Sequence, residues 1–374
     1  MRVLQVVTLL SPDGAYGGPA RVALNQSAEL IGRGHEVTVA AATRGYRGLP
    51  TELNGVPLRL FAARRLLPGI GFAGLGAPAL SGWLRRHRTD FDVVHIHFAR
   101  DLVVLPVAVA ARRYGIPYVL QTHGMVTPSD HFLAAPLDAT WTRKVLRDAG
   151  TVFYLTPQER EQLGAVADAR LRFAQLCNGV PDYPGVVDCP GPPEVLFAAR
   201  MHPRKRPIAF VEMAKTLLHA GIDARFTLIG PDEGEGAALC AALRGEPCIS
   251  WEGALDPFAV PERMSAARVY VLPSVREPYP MSVLEAMAVG LPVVVCDDCG
   301  LASLIEETRS GIVTDPAVPA LAAAVESILA DPSVARAMGT RGRETARTRL
   351  GMRAVGDRLL QTYANLIDGR PWTG

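Results

Sequence analysis

Short runs of aliphatic and β-branched residues alternate along the chain with longer stretches rich in helix-forming residues. This alternation predicts parallel sheets with helices on both faces, and therefore an α/β fold. The first series of predicted strands comprises 3–8, 36–41, 58–61, 93–97, 118–122 and 152–155. The second series comprises 194–198, 225–229, 249–252, 269–272, 293–296 and 311–313.

A chain of 374 residues is too long for one ordinary hydrophobic core, so two domains are expected. Residues 180–193 contain five prolines and separate the two strand series, which is typical of a stiff, exposed connection. The predicted domains are 1–182 and 193–348, with a carboxy-terminal helical segment at 349–374. Two doubly wound halves would bind a ligand in a cleft between their carboxyl-end loops.

Composition excludes several classes of protein. Apolar residues make up 49% and charged residues 20%, as in a globular chain, and a net charge of +2 argues against nucleic-acid binding. The amino terminus is interpreted as a buried strand and not a signal peptide, and no apolar run is long enough to span a membrane. Six scattered cysteines then indicate reduced thiols and a cytoplasmic location. Cys296-Asp-Asp-Cys299 is interpreted as a strand-end loop, since a zinc site would need further ligands at metal spacing.

Residues 273–291 carry the strongest chemical signal. Prolines on both sides place Glu277 in a loop, and Met281–Val289 has the composition of a helix, with Glu285 one turn inside it. The first N–H groups of such a helix attract phosphate; because Pro280 has no N–H, the free donors should be those of Met281, Ser282 and Val283. An acid in a loop, a phosphate-attracting helix start and an acid in the helix suit a nucleotide sugar. The alternative is a helix with two solvated acids.

Arg200-Met-His-Pro-Arg-Lys205 follows the first strand of the second series. Two cations fixed beyond a strand end can neutralise a diphosphate, both when it binds and when it leaves. Arg204 and Arg206 are additional positive charges that could share this role. The alternative is a solvated basic turn.

The two acids, together with Ala286-Met-Ala-Val-Gly-Leu-Pro-Val-Val294 after them, resemble the E-x7-E motif of retaining glycosyltransferase family 4. The resemblance implies the GT-B fold, in which two Rossmann-like doubly wound domains face each other across a cleft and the final helix, here 352–367, returns to the first domain. It also implies that Glu277 contacts the hydroxyls of the donor sugar and that Glu285 contacts the ribose.

Further positions are carried over from the same resemblance. Gly17 and Gly18 match a double glycine near the donor diphosphate and the acceptor, and Arg200 with Lys205 matches the diphosphate-binding pair. His123 matches a position near the transferred sugar, where a hydrogen bond to a hydroxyl or phosphate is expected, and Gly253 lies near the expected base. The chain departs from the family where Ala199 and Arg206 replace glycines.

A metal cofactor is not expected. His95 and His97 lie on the same face of a predicted strand, but no nearby acid–histidine set completes a site. No Asp-x-Asp pair stands out as a cation ligand for a diphosphate, and the family's chemistry is treated as metal-independent.

Residues 53–89 contain six arginines and no acid, beside Leu66, Leu67 and Trp83. Such a stretch suits peripheral contact with an anionic inner membrane face, but equally an acceptor-binding loop or a solvated helix end.

The sequence therefore predicts a retaining, metal-independent glycosyltransferase that moves a sugar from a nucleoside-diphosphate donor to a carbohydrate, a lipid-linked glycan or a small molecule. Glu277, His123, Arg200 and Lys205 are its predicted catalytic residues. The alternatives are a GT-B-like epimerase acting on the nucleotide sugar, and a silent nucleotide-sugar-binding partner of another transferase.

Overall fold

The computed structural model describes residues 1–12, 17–67, 69–187 and 190–369. The chain divides into two compact units. The first comprises Met1–Gly179 and Met352–Gly374, and the second comprises Val180–Gly351. The predicted boundary at 182 lies three residues after Gly179, where the first unit ends, and the predicted boundary at 348 lies four residues before Met352, where it resumes. Residues 188 and 189 of the predicted linker lie outside the described residues.

Parallel strands form the larger sheet of each unit. The strands of the first unit are β1 (Arg2–Leu10), β2 (Glu36–Thr43), β3 (Glu52–Leu53), β4 (Val56–Ala62), β5 (Arg64–Arg65), β6 (Leu75–Gly76), β7 (Val93–His97), β8 (Tyr118–Gln121), β9 (Thr151–Tyr154) and β10 (Phe173–Gln175). Those of the second are β11 (Glu194–Ala198), β12 (Arg225–Ile229), β13 (Ile249–Trp251), β14 (Val269–Leu272), β15 (Val293–Cys296) and β16 (Gly311–Thr314).

The helices cover both faces of these sheets. Those of the first unit are α1 (Gly17–Gly32), α2 (Pro78–Arg86), α3 (Val104–Arg113), α4 (Ala134–Leu137), α5 (Arg143–Asp148) and α6 (Pro157–Ala167). Those of the second are α7 (Pro207–His219), α8 (Gly236–Ala242), α9 (Val260–Ser265), α10 (Met281–Val289), α11 (Ala302–Thr308), α12 (Val318–Ala330) and α13 (Pro332–Arg349); α14 (Met352–Ile367) belongs to the first unit.

The strand orders are those of doubly wound folds. The first sheet runs β10-β9-β8-β7-β1-β2-β4-β3, and the second runs β13-β12-β11-β14-β15-β16. The order reverses beside β1 in the first sheet and beside β11 in the second, because crossovers leave these strands in both directions. In open α/β sheets, ligands bind beyond the carboxyl ends of the strands at such switch points.

Every predicted strand is present, and the central strands of each sheet, such as β1, β7, β11 and β14, are buried apolar runs, as expected for strands covered on both faces. The prediction missed β3, β5, β6 and β10, which are only two or three residues long. Runs this short show no periodicity in the sequence. The strands β5 and β6 form a two-stranded antiparallel ribbon, and β3 pairs antiparallel with β4.

The final helix α14 packs into the core of the first unit. Its Val355, Leu359 and Tyr363 are buried in one cluster with Val3 and Leu30. A hydrogen bond from Nη1 of Arg33 to Oδ1 of Asp357, at 2.6 Å, also holds α14 in place.

Among the described residues, no single helix has both the length and the apolar content to cross a membrane; the bent pair α12 and α13 passes that test only when its two helices are taken together.

Candidate functional site

The loop between β14 and α10 holds Glu277 in a fixed backbone conformation. Arg276 has a left-handed φ of 52°, and its N–H donates to the carboxylate of Asp298 at 2.6 Å. The N–H of Gly300 donates to the carbonyl oxygen of Glu277 at 2.8 Å. A Cβ at Gly300 would lie 1.8 Å from the carbonyl oxygen of Pro278, so only glycine permits this approach. The loop after β15 therefore fixes the loop that carries the predicted sugar-binding acid.

The carboxylate of Glu277 meets two cations. Lys205 donates from Nζ to Oε2 of Glu277, and Nη2 of Arg204 lies 4.0 Å from the same oxygen. The side chains of Glu277 and Lys205 are 8% and 12% exposed, so this ion pair is largely shielded from water. Burial lowers the pKa of Lys205 below its ordinary value, and the Glu277 carboxylate opposes that effect. The structure thus brings together two of the four predicted catalytic residues.

The basic turn that carries Lys205 is a 3₁₀ helix, Pro203–Lys205, capped by the side chain of His202. The N–H of Val275 donates to the carbonyl oxygen of Arg204 at 3.1 Å, which joins the basic turn to the acid loop. Arg206 has a φ of 55°, which explains the glycine that the family usually has there. Its guanidinium donates to the carbonyl oxygen of Pro316 at 2.7 Å, so Arg206 has a structural role.

Arg200 pairs with a different acid, although its charge also acts on Lys205. Its Nη1 donates to a carboxylate oxygen of Glu233 at 2.5 Å, and its side chain is 38% exposed. Gly230, at the end of β12, allows this arrangement: a Cβ there would lie 1.9 Å from the carbonyl oxygen of Ala199. Arg200 is therefore a half-exposed cation that already has a carboxylate partner.

The amino terminus of α10 corrects one prediction. The N–H of Val283 donates to the carbonyl oxygen of Pro280 at 3.2 Å, because the first turn closes with an i to i+3 bond. Of the three predicted donors, only Met281 and Ser282 keep N–H groups with no backbone acceptor in the described part of the chain. Glu285 lies one turn further on and is 1% exposed.

Gly253 follows β13 with a φ of 79°, and its carbonyl oxygen accepts from the N–H of Gly230 at 2.8 Å. The indole of Trp251 donates to the carbonyl oxygen of Gly230 at 2.9 Å. Trp251 therefore joins two strand-end loops.

In the first unit, Gly17 and Gly18 lie in the first turn of α1. Residues 13–16 of the predicted glycine-containing loop lie outside the described residues. The two glycines thus present backbone at a helix amino terminus.

A sharp turn after β8 carries His123, whose φ is 52°. The buried carboxylate of Glu159 accepts from the hydroxyl of Thr122 at 2.5 Å, from the N–H of Gly124 at 2.5 Å and from the N–H of Leu155 at 2.6 Å. These three bonds hold the turn. Glu159 is not among the predicted site residues, although Thr156-Pro-Gln-Glu159 is a recognisable helix-capping pattern.

Both ring nitrogens of His123 have protein partners. Nε2 lies 2.7 Å from Nδ1 of His97, and Nδ1 lies 2.9 Å from Oδ1 of Asn178. Both ring nitrogens are thus engaged within the protein, and the expected hydrogen bond from this imidazole to a ligand stays a prediction. The rings belong to a closed network of imidazoles and amides that continues through Gln121, Gln26 and Gln5.

Burial determines the protonation of these histidines. It lowers the pKa of His95 to about 3 and of His123 to about 4, and holds that of His97 well below its ordinary value. Nδ1 of His95 lies 2.6 Å from the hydroxyl of Tyr363, on α14. In the part of the chain that the structure describes, no group of three or more His, Cys, Asp or Glu could hold a metal ion.

The basic stretch 53–89 spans β4, the β5–β6 ribbon and α2. Leu66 and Leu67 are each 44% exposed. Trp83 is half-buried and packs against Phe61 and Phe91, with ring centroids 5.7 and 5.8 Å away.

Comparison with protein families matches both parts of the chain. Residues 17–179 match the model described as "Glycosyl transferase 4-like domain", and residues 189–345 match "Glycosyl transferases group 1". Together the two models span most of the chain.

Curated relatives are glycosyltransferases. A 2-deoxystreptamine glucosyltransferase of Streptomyces kanamyceticus is 26% identical over 87% of this chain and 93% of its own length. A D-inositol 3-phosphate glycosyltransferase of Acidothermus cellulolyticus is 27% identical over 82% of this chain and 76% of its own length.

Solved structures show the GT-B fold. Sucrose-phosphate synthase of Thermosynechococcus elongatus superposes with a TM-score of 0.75 at 20% identity and covers 99% of this chain and 100% of its own. Anabaena HepE, in complex with UDP and glucose, superposes with a TM-score of 0.76 at 17% identity over 98% and 100% of the two chains.

Proposed function

We propose that this chain, which belongs to the glycosyltransferases that combine a 4-like domain with a group 1 domain, transfers a sugar from a nucleoside-diphosphate donor to an acceptor hydroxyl with retention of anomeric configuration. The observation that carries the proposal is the buried ion pair between Glu277 and Lys205 beside the amino terminus of α10. A carboxylate, a cation and free helix N–H groups within one set of strand-end loops match the three parts of a nucleotide sugar.

The charges are arranged so that a donor can replace internal partners. Without a ligand, Lys205 neutralises Glu277 and Arg200 contacts Glu233. A diphosphate would take up part of both cations and the N–H groups of Met281 and Ser282. The Glu277 carboxylate would then accept hydrogen bonds from sugar hydroxyls, and Glu285 would contact the ribose.

We assign the rate acceleration to this fixed electrostatic environment. Because Glu277 is engaged by Lys205, it is better suited to orienting the sugar than to attacking it. In the proposed front-face reaction, the bond from the anomeric carbon to the diphosphate oxygen breaks and the bond to the acceptor oxygen forms on the same face. The proton of the acceptor hydroxyl passes to the leaving diphosphate.

For the acceptor, the names of the curated relatives favour a small polyhydroxylated ring, 2-deoxystreptamine in one and an inositol phosphate in another. A glycan or a lipid-linked glycan presents the same hydroxyl chemistry. In this chain, the first unit would bind the acceptor, near the His123 turn and the start of α1.

A thermal-shift panel of nucleotide sugars tests the donor. The bound donor should stabilise the protein by about 2.7 kcal/mol at 100 times its Kd, whereas unrelated nucleotides should not. With donor and acceptor together, NMR of the product should show the donor's anomeric configuration. An isomerised donor without acceptor would instead indicate an epimerase, and donor binding without turnover over a broad acceptor panel would indicate a silent partner.

Peripheral membrane contact is a separate proposal that rests on the exposed leucines and arginines of 53–89. Replacing Arg64, Arg65, Arg85 and Arg86 with Gln should greatly reduce pelleting with anionic liposomes at low salt, since each basic residue near such a surface contributes about 1 kcal/mol. Wild-type protein that ignores anionic liposomes would favour an acceptor-binding loop or plain surface.

A further inference from the structure

The second unit contains a cavity of about 900 Å³ that the donor site does not use. Its walls come from the residues before β11, β14 and β15 and from the face of α13, at the amino-terminal edge of the sheet. The donor residues follow the carboxyl ends of the same strands. Strands of four or five residues separate the two edges by about 13–17 Å, so the cavity and the donor site are distinct.

Arginines dominate the charge of this cavity. Among the described residues, its lining contains four arginines and two acids, namely Arg268, Arg336, Arg343, Arg347, Asp182 and Glu344. Arg336, Arg343 and Arg347 are spaced by seven and four residues along α13, which places them on one helix face. Arg343 and Arg347 are one turn apart, about 6 Å along the helix axis, so both can reach one phosphate, and Arg336 lies about 10 Å from Arg343 on the same face.

Two of these arginines form no ion pair within the described residues, although the charge of Arg336 contributes to the lowered pKa of Asp331. Nη2 of Arg343 donates to the carbonyl oxygen of Tyr183 at 2.8 Å and lies 4.0 Å from Oδ1 of Asp182. Within the described residues, Arg336 and Arg347 have no carboxylate oxygen within 4 Å, and both side chains belong to exposed residues. Their charges are therefore available to an external anion.

The remaining wall is apolar. Val186, Leu329 and Pro332 contribute apolar surface that is not buried, whereas Val289, Leu291 and Ile328 behind the lining are buried. Gly339 lets α13 approach closely, since a Cβ there would lie 1.9 Å from the carbonyl oxygen of Gly290. The cavity thus combines an apolar floor with a row of cations along one side.

We propose that this cavity binds an amphiphile with a phosphate group and an aliphatic chain. Guanidinium groups pair strongly with phosphate, in many cases through two parallel hydrogen bonds. The apolar floor adds the burial of a hydrocarbon chain, which inorganic phosphate or a free nucleotide lacks. The ligand is either a soluble alkyl or prenyl phosphate or a membrane lipid, since both present this chemistry.

Calorimetric titration with dodecyl phosphate, below its micelle concentration, tests the proposal. Saturable binding is expected, and inorganic phosphate and dodecanol should each bind at least tenfold more weakly. Arg336→Gln with Arg347→Gln should weaken dodecyl phosphate binding at least tenfold. Ala335→Glu, which adds a carboxylate to the cavity wall, should act in the same direction. UDP binding, measured on the same samples, should be unchanged and shows that each variant is folded.

The matched control is Arg244→Gln with Arg358→Gln, which removes two exposed arginines outside the cavity and should leave binding unchanged. Equal losses in the cavity and control variants, competition by UDP, or inorganic phosphate binding as tightly as dodecyl phosphate would overturn the proposal. Pelleting with phosphatidic acid vesicles that is lost in the cavity variant would support a membrane lipid. Monomer binding without pelleting would support a soluble ligand.

Discussion

In the second unit, opposite charges meet beyond the strand ends, where Lys205 and Glu277 form a shielded ion pair and Arg200 contacts Glu233. At the corresponding edge of the first unit, neutral imidazoles and amides form a closed network around His97 and His123. The two sites lie at equivalent places in similar sheets but are stabilised by different interactions.

This difference separates two tasks. In an ion pair, the acid can be replaced by a ligand group of the same negative charge at modest net cost in free energy. This suits a site that binds and releases a diphosphate. In the first unit, a neighbouring imidazole and amide groups engage both ring nitrogens of His123. Such a buried network holds the backbone in place, and its disruption would leave polar groups without hydrogen bonds. The second unit would thus supply charge, and the first would supply shape.

The largest effect is expected for Glu277→Gln. Turnover should fall about 10²- to 10³-fold, the usual loss when one fixed electrostatic group is removed from a transition state. UDP binding should change far less, because this carboxylate is assigned to the sugar. Steady-state kinetics and UDP titration give the two numbers.

The matched control for that variant is Glu307→Gln, which changes an exposed acid paired with Arg349 and should leave turnover unchanged. If Glu277→Gln weakened UDP binding as much as turnover, the assignment of Glu277 to the sugar would be wrong.

Acid should destabilise the first unit. Its buried histidines have folded pKa values below their unfolded value of about 6.5, so the unfolded state takes up protons first and stability falls as pH falls below 6.5. Burial raises the pKa of Asp101 to about 6, so the folded state binds this proton before the unfolded state does. The resulting gain in stability as pH falls cancels the loss from one of the three histidines. A net loss of about 3 kcal/mol per pH unit is expected between pH 6 and 4.

Scanning calorimetry from pH 7 to 5 checks this expectation. The transition of the first unit should move to lower temperature, and limited proteolysis at pH 5 should cut first within residues 1–179. His95→Gln should reduce the slope by about 1.4 kcal/mol per pH unit. A first unit whose transition does not move would mean that these histidines are protonated in the folded state.

The sequence predicted the fold and the loop that carries Glu277 because both are encoded locally. Buried β-branched runs identified the strands, and the prolines around Glu277 identified the loop before α10. The assignment of this loop to a donor stays a prediction. The partners were not predictable in the same way: Lys205 and Glu277 are 72 residues apart, and the His123 network joins side chains from several strands. Such contacts depend on the sheet order, which no local pattern contains.

A smaller effect is expected for Arg200→Ala. Loss of one charge-assisted contact should weaken UDP binding by about 1.5–3 kcal/mol, and UMP, with one phosphate fewer, should lose less. Titration of both nucleotides against Arg200→Ala and Arg204→Ala distinguishes the two cations. If only Arg204→Ala weakens UDP, then Arg204, which already lies 4.0 Å from Glu277, has the role given to Arg200.

The smallest expected effect is that of chelation, which should leave turnover unchanged. The charge of the diphosphate is assigned to Lys205, Arg200 and the N–H groups of Met281 and Ser282, so a divalent cation would have no separate task. Activity measured after dialysis against EDTA should therefore equal activity with added magnesium or manganese. Glu277→Gln offers a second check, because a carboxylate that worked by binding a cation would make turnover in the wild type metal-dependent and in the variant metal-independent. Loss of wild-type activity on chelation, restored by either metal, would show that the charged site of the second unit is incomplete without a cation.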